Sequence, residues 1–193
     1  QVSFLNDRVS SLIGSTALTS RGFVRPEGLT GAGQVVALAD SGLGNGRIDN
    51  PHPDLKSEPG QTPKVIMLKS WTGRETAEDI NGHGTHMAAT IAGTGAASGG
   101  KYAGVAPQAR LYFQAILDQE NQPSPPNDLF ALFSPAYAAA ARIHVDGWGG
   151  KGNFYSSGAS QVDAFIRSHP DFLVIFGAGN GGPGEGTLTS EAN

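Results

Sequence analysis

Five short apolar runs, separated by loops and helical segments, most strongly constrain how this chain folds. Continuous apolar runs of this kind are typical of strands buried on both faces of a sheet. Alternation of strands with helices favours a parallel sheet, because each connection must cross over one face. We therefore predict an α/β fold with a doubly wound, mostly parallel sheet and helices on both faces. The predicted strands are 34–39, 65–68, 109–117, 143–146 and 172–176.

Helical spacing predicts the elements between these strands. Helices are expected over 85–91, 128–142 and 162–167, with Asp128 capping the second and Pro135 interrupting it. A short helix within residues 1–30 is expected to pack on the body of the fold.

Composition argues against several classes of function. The 193 residues are 38% hydrophobic, enough for one core, and the net charge of −4 gives no reason to expect nucleic acid or an acidic membrane as a partner. No apolar run is long enough to span a bilayer, and residues 1–4 do not resemble a signal peptide. The chain has no cysteine, which excludes a disulfide framework and a thiol nucleophile within it.

His83 is the strongest candidate for a catalytic residue. It lies between Gly82 and Gly84, which permit a tight turn and leave room beside the imidazole, and it comes just before the predicted helix. A helix N-terminus disfavours the imidazolium and keeps the neutral ring available as a base. His86 follows three residues later, but the zinc-protease pattern H-E-x-x-H is absent, so a buried or half-buried structural histidine is favoured there.

Three further candidates follow predicted strands. Asp40, Gly147 and Asn180 come at or just after strand ends, and the carboxyl ends of parallel strands meet at one edge of the sheet, where ligands bind. An aspartate can orient a histidine base, and an asparagine amide can stabilise an oxyanion. Each signal alone is weak, but their convergence predicts one hydrolytic site.

Four motifs together resemble the subtilisin-like serine proteases, the subtilases. They are V-A-L-A-D-S-G at 36–42, N-G-H-G-T-H at 81–86, G-V-A-P at 104–107 and A-G-N at 178–180. The resemblance implies that residues 1–193 are the N-terminal part of a single catalytic domain that hydrolyses peptide bonds. By resemblance, Asp40 is the orienting acid, His83 the general base and Asn180 the oxyanion donor. Gly147, Trp148 and Gly149 would pair with an extended polypeptide substrate, and Ala178 and Gly179 would wall the specificity pocket.

The sequence departs from the family pattern in two places. The family's serine, in G-T-S-x-A-x-P, has no counterpart in the sequence, which contains no G-T-S. We therefore expect a second chain to supply the serine and the remaining strands, after cleavage beyond Asn193, and expect this chain alone to be inactive. In addition, Asp146 and Gly147 stand where the family often has Asn and Ser.

The resemblance also implies properties outside the reaction itself. No cofactor is needed for the chemistry, although a structural calcium ion is common in the family, and Asp49 is the candidate ligand that can be placed. A solvated loop aspartate is about as good an interpretation of Asp49. Secretion is expected from the family.

Three other functions are considered. A peptide-binding pseudoprotease would keep the fold without catalysis, and Gly147 favours it. An aspartic protease would use A-D-S-G at 39–42, but it needs a second copy, which the sequence lacks. A dinucleotide-binding domain is disfavoured because the glycines at 42, 44 and 46 lack the G-x-G-x-x-G spacing.

Overall fold

The computed structural model describes residues 6–15, 28–57 and 60–193, and it contains one central parallel sheet. The sheet has five strands in the order β3-β5-β1-β6-β7, and every pair of neighbours is parallel. The strands β2 and β4 form a separate antiparallel pair. The α/β class and the doubly wound sheet are thus confirmed. In chain order the strands are β1 (Val35–Asp40), β2 (Asn45–Gly46), β3 (Val65–Ser70), β4 (Ala77–Glu78), β5 (Arg110–Ala115), β6 (Ile143–Asp146) and β7 (Leu173–Phe176).

Four α-helices accompany the sheet in the described residues: α1 (Asn6–Leu12), α2 (His83–Ala92), α3 (Phe130–Ala138) and α4 (Ser157–Ser168). The N-cap residue of α3 is Leu129 rather than the predicted Asp128, although Oδ1 of Asp128 accepts a hydrogen bond from the amide of Phe130, the first helical residue. The predicted break at Pro135 is wrong, because the helix continues through this residue to Ala138. Helix α4 is longer than predicted, because the side chain of Ser156 caps it by accepting from the amide of Ala159. The described helices include none long and apolar enough to cross a membrane.

The helices divide between the two faces of the sheet. Helix α2 packs on one face, where Ala88 and Ala92 are fully buried and let its backbone approach Phe113 of β5. Helices α3 and α4 cover the other face, with Phe133 and Phe165 fully buried. Burying one such ring contributes about 1.5–3 kcal/mol relative to leaving it exposed. At the C-terminal end of α1, a helix that was expected to pack on the body of the fold, Leu12 and Ile13 are 80% and 63% exposed, and Leu5 lies outside the described residues.

The edge formed by β6 and β7 is covered on one face only. Its side chains alternate, so that His144 and Asp146 are buried on the face of α3 and α4. On the face of α2, Ile143, Leu173 and Ile175 are 39%, 54% and 44% exposed. Within the described residues, this part of the sheet therefore presents an apolar surface without a covering element.

Candidate active site

Asp40 and His83 meet at the carboxyl edge of the sheet. Asp40 is the last residue of β1, and His83 is the first of α2, preceded by Gly82 at a φ of 82°. The Nδ1 of His83 lies 2.7 Å from Oδ1 of Asp40. The side chain of His83 is 54% exposed, whereas that of Asp40 is 1% exposed. The carboxylate thus fixes Nδ1 as the protonated nitrogen and leaves Nε2 as the basic nitrogen.

The carboxyl group of Asp40 is held asymmetrically. Its Oδ1 also accepts from the amide of Ser41 at 2.6 Å, while its buried Oδ2 has no hydrogen-bond partner in the described part of the chain. Burial raises the pKa of this carboxyl above its ordinary value, and the hydrogen bonds from His83 and Ser41 oppose that rise. Ionising Asp40 is therefore more costly than ionising a solvent-exposed aspartate.

Gly147 makes room for Asp40. A Cβ atom at this position would lie 1.8 Å from Oδ2 of Asp40 and 3.3 Å from Cε1 of His83. Any side chain here requires the carboxyl group to move. The glycine, which sequence reasoning treated as a lost serine contact, is thus a structural requirement of this arrangement.

Asp79, which sequence reasoning missed, anchors the start of α2. Its Oδ1 accepts from the hydroxyl of Ser41 at 2.8 Å and from the amide of Gly82 at 3.0 Å, and its Oδ2 accepts from the amide of Thr85 at 2.8 Å. The hydroxyl of Ser41 in turn accepts from the amide of Gly84. A carboxylate at a helix N-terminus caps free amides and complements the dipole. The position of Asp79, an acidic residue four positions before His83, was the sequence signal that could have indicated this role.

The space beside Gly84 is filled differently from the expectation. A Cβ atom at Gly84 would lie 2.3 Å from the carbonyl oxygen of Gly42, so the glycine admits the backbone that follows β1 rather than leaving room for the imidazole. His86 is exposed on α2, not buried or half-buried as expected.

A cavity of about 180 Å³ opens in front of the His83–Asp40 pair. Trp148 and Gly147 form one side of it, and Leu117 and Pro123 lie among the other lining residues. The predicted Gly147 and Trp148 therefore do lie beside His83.

Thr189, which was not predicted, lies between Gly149, predicted to pair with the substrate, and Gly179, predicted with Ala178 to wall the specificity pocket. A Cβ atom at Gly149 would lie 2.6 Å from Cβ of Thr189, and one at Gly179 would lie 3.0 Å from its Cγ2. The Thr189 hydroxyl donates to the carbonyl of Gly177, and its amide donates to that of Ala178. Thr189 thus fills the space between the two glycine segments.

Asn180 lies in the exposed loop after β7, at the same edge of the sheet as Asp40. Its amide makes no hydrogen bond within the described residues that fixes its direction. The structure therefore places Asn180 on the expected edge but does not fix it against His83.

A second histidine–aspartate pair lies beneath the cleft. The Nδ1 of His144 is 2.9 Å from Oδ2 of Asp146, and both side chains are 0% exposed. The indole nitrogen of Trp148 donates to Oδ1 of Asp146 at 3.0 Å. Sequence reasoning noted the charge at 146 but not this pair, whose signal was a histidine two residues before it on the same face of a strand.

Asp49, the candidate calcium ligand, lies on an exposed loop and is occupied by Arg47. The guanidinium contacts both carboxylate oxygens, at 3.1 Å and 2.7 Å, and this contact lowers the pKa of Asp49. Among the described residues, no group of three or more His, Cys, Asp or Glu side chains could hold a metal ion. Calcium binding at Asp49 stays a prediction, and it would require Arg47 to move away.

The combination of an aspartate at the end of β1 with a histidine at the start of α2 agrees with the comparison to known proteins. Residues 31–193 match the Subtilase family. The chain belongs to the subtilase family. Among relatives of known annotation, it is 32% identical to the serine protease/ABC transporter B family protein tagA of Dictyostelium discoideum, over 86% of this chain and 10% of tagA. It is 35% identical to serine protease AprX of Bacillus subtilis, over 61% of this chain and 25% of AprX.

Solved protease structures share the fold. The S218A mutant of the protease domain of PatA superposes with a TM-score of 0.59 at 25% identity, over 80% of this chain and 53% of that domain. The chain thus spans about half of this solved relative and a much smaller part of the full-length relatives.

Proposed function

We propose that the protein containing this chain is a serine endopeptidase that cleaves extended polypeptides. The observation that carries the proposal is the His83–Asp40 pair, whose Nδ1 is bound to a buried carboxylate while more than half of the ring faces solvent and the cavity. Membership of the subtilase family agrees with this chemistry.

In the proposed reaction, Nε2 of His83 accepts the proton of a serine hydroxyl as its oxygen attacks the substrate carbonyl. Asp40 stabilises the imidazolium that forms, without taking the proton itself. The imidazolium then donates the proton to the leaving amine, and an acyl-enzyme remains, which water hydrolyses by the same two proton transfers. Asn180 is proposed to donate its amide to the oxyanion.

The nucleophilic serine is proposed to lie outside residues 1–193, which contain no G-T-S. The Ser41 hydroxyl is a poor substitute because it already donates to Asp79 and accepts from Gly84. The uncovered face of Ile143, Leu173 and Ile175 supports this assignment, because its burial requires further structure. That structure, either continuous with this chain or cleaved from it, would complete the single catalytic domain.

Substrate binding is proposed along the two glycine segments of the cleft. The backbone of Gly147, Trp148 and Gly149 would pair with the substrate as an added strand, and Ala178 and Gly179 would wall the pocket for the side chain at the scissile bond. Thr189 lies between these segments and would limit the size of that side chain. No nucleic acid or membrane partner is proposed.

Secretion and a structural calcium ion remain part of the proposal. The relatives' names do not agree on location, since one is called the major intracellular serine protease of Bacillus subtilis. The chemistry of His83 and Asp40 requires neither calcium nor a cofactor.

Labelling of the complete protein with a biotinylated fluorophosphonate, followed by mass spectrometry under denaturing conditions, tests the proposal. We expect one adduct on a serine outside residues 1–193, and its loss in the His83→Ala variant. Binding of extended peptides without labelling or cleavage would support the pseudoprotease instead. Inhibition by pepstatin without labelling would support an aspartic protease.

A further inference from the structure

A buried chain of hydrogen bonds links the two tryptophans of the sequence through the sheet. Trp71 follows β3 and donates its indole N–H to Oε1 of Gln114 on β5, at 2.9 Å. The Nε2 of Gln114 lies 3.1 Å from Nε2 of His144, whose Nδ1 lies 2.9 Å from Asp146. Trp148 donates to the same carboxylate from the cleft. Gln114, His144 and Asp146 are each at most 1% exposed.

The direction of every hydrogen bond in this chain follows from its first donor. An indole N–H can only donate, so the oxygen of the Gln114 amide must face Trp71. The amide nitrogen of Gln114 then donates to the carbonyl of Leu132 and to Nε2 of His144. His144 must therefore carry its proton on Nδ1 and donate it to Asp146. Asp146 receives this N–H on Oδ2 and the indole N–H of Trp148 on Oδ1.

Only an acceptor at both side-chain atoms of residue 146 satisfies this arrangement. An asparagine would present its NH₂ group to one of two N–H donors. Reversing the histidine tautomer would not help, since its Nε2–H would then face the amide nitrogen of Gln114. A buried donor without an acceptor costs about 1–3 kcal/mol. The carboxylate at 146 therefore matches its surroundings in a way that an amide does not.

Trp148 connects this hydrogen-bond network to the cleft. Its ring lines the cavity in front of His83 and packs edge-to-face on Phe176, with centroids 5.1 Å apart. The contact with Phe176 leaves the ring free to slide or rotate, whereas the hydrogen bond to Asp146 sets its orientation.

We propose that Asp146, oriented by His144, is a positioning residue that fixes the Trp148 indole as one wall of the substrate cleft. This inference rests on the proposed peptidase function for its kinetic consequences, but the placement of the indole does not depend on activity. Asp146 touches neither the substrate nor His83, and its effect is exerted through Trp148.

Kinetics of the complete protein with succinylated tetrapeptide p-nitroanilides test the proposal. We expect Asp146→Asn and Trp148→Phe each to raise KM about fivefold or more, with kcat changed less than about threefold. The KM of the double variant should not exceed the larger KM of the two single variants, because both substitutions remove the same interaction. Additive effects, or an unchanged KM in Asp146→Asn, would overturn the proposal.

Two histidine variants and a control separate positioning from a general loss of structure. His144→Asn keeps an N–H near the Nδ1 position and should preserve KM, whereas His144→Leu should reproduce the effect of Asp146→Asn. These two variants also decide the question if Asp146→Asn does not fold. The matched control is Asp171→Asn, which removes a carboxylate that likewise accepts from two side chains, Tyr137 and Arg142, but at the opposite edge of the sheet. Its KM should stay unchanged.

A spectroscopic measurement keeps this test separate from that of the peptidase function. In complete protein labelled with 5-fluorotryptophan in a His83→Ala background, the ¹⁹F resonance lost in Trp148→Phe belongs to Trp148. We expect that resonance to shift or broaden in Asp146→Asn and in His144→Leu, but not in Asp171→Asn. An unmoved resonance overturns the positioning role, whatever the activity. A moved resonance, together with a failure of the complete protein with His83 intact to hydrolyse peptides, would contradict the proposed function alone.

Discussion

The molecule contains two histidine–aspartate pairs of nearly equal bond length in opposite environments. The His83–Asp40 bond measures 2.7 Å and the His144–Asp146 bond 2.9 Å. One ring nitrogen of His83 is hydrogen-bonded to the carboxylate, and more than half of its side chain is exposed. Both ring nitrogens of His144 are hydrogen-bonded to neighbouring side chains, and its side chain is fully buried. The two aspartates differ in the reverse sense, because within the described residues Oδ2 of Asp40 has no hydrogen-bond partner, whereas both oxygens of Asp146 have one.

This difference shows that a histidine–aspartate hydrogen bond does not by itself make a catalytic base. A base needs a nitrogen that a substrate or nucleophile can reach, which His83 has and His144 lacks. The His144–Asp146 pair holds its neighbours in place. The His83–Asp40 pair, called the open pair below, keeps a ring nitrogen that can be reached from solvent, and its buried Oδ2 has no hydrogen-bond partner in the described residues.

The largest effect is expected from removing the open histidine. His83→Ala should lower kcat of the complete protein by about 10⁶-fold, since the members of a triad act as a unit. Its melting temperature should change little, because the ring is half exposed. His144→Ala should show the opposite pattern, with a lower melting temperature and most of kcat retained. Both variants are compared by peptide hydrolysis and by thermal unfolding, and equal losses of kcat would contradict the distinction.

A smaller loss is expected from filling the space beside the open carboxylate. Gly147→Ala places a Cβ atom where Oδ2 of Asp40 now lies, so Asp40 must turn away from His83. We expect kcat to fall about 10- to 100-fold, a barrier increase of about 1.4–2.7 kcal/mol. The control is Gly184→Ala, where the new atom meets nothing closer than 3.8 Å. A fully active Gly147→Ala enzyme would show that Asp40 has a second acceptable position.

Asp79→Asn tests whether the open pair depends on the anchoring of its helix. An amide group cannot accept hydrogen bonds at both atoms, so at least one of the contacts to Ser41, Gly82 and Thr85 is lost. We expect kcat to fall about tenfold and the free energy of unfolding to fall by about 1–2 kcal/mol. Kinetics and chemical denaturation measure the two losses, and loss of stability without loss of kcat would make Asp79 purely structural.

The two aspartates, Asp40 and Asp146, are distinguished by the effect of their substitution on stability rather than on activity. In a His83→Ala background at pH 7, Asp146→Asn should lower the free energy of unfolding by about 1–3 kcal/mol, because it leaves a buried donor unpaired. Asp40→Asn, in the same background, should raise it by about 1 kcal/mol, because it removes a buried charge with an unpartnered oxygen.

The pH dependence of the change in unfolding free energy caused by Asp40→Asn tests the sign of that change independently. The pKa of Asp40 is raised in the folded chain above its ordinary value of 3.8, so the folded state keeps this proton to a higher pH than the unfolded state. The cost of ionising Asp40 is thus absent below pH 3.8 and grows as the pH rises through the folded pKa. The advantage of Asp40→Asn should vanish in acid, and an advantage that increases in acid would contradict the burial argument.

The strand pattern could be predicted from sequence because it follows from local order along the chain. The Asp40–His83 pair could be predicted because each residue lies in its own local motif, at the end of a predicted strand or next to a predicted helix. Strand β6 was predicted without error, and the glycines around His83 placed it correctly at a helix start. Helix α3 was not, because Pro135 was given the weight of an isolated helix breaker, whereas burial of Phe133 and Ala136 holds the helix through it.

Side-chain contacts outside these motifs were not predicted. The His144–Asp146 pair did have a local signal, a histidine two residues before the aspartate on the same strand, but it was missed. The Gly147–Asp40 approach and the filling of the cleft by Thr189 depend on how distant segments pack, which no local pattern encodes. Lys64 is another example: it is 6% exposed and donates to the carbonyls of Pro107 and Ala109, and burial lowers its pKa to about 8. Nothing in its sequence neighbourhood indicated a buried cation.

The contacts of Thr189 and Glu191 with the two sides of the cleft affect where the sequence can change. Glu191 accepts from the amide of Gly150, while Thr189 binds the carbonyl of Gly177, so both sides of the cleft are fastened to one three-residue stretch. The exposed turn 181–186 lies between the fastened points and bears none of this load. We therefore expect insertions or deletions in that turn to have little effect on the shape of the cleft, whereas a single change at Thr189 or Glu191 removes a contact that holds one of its sides.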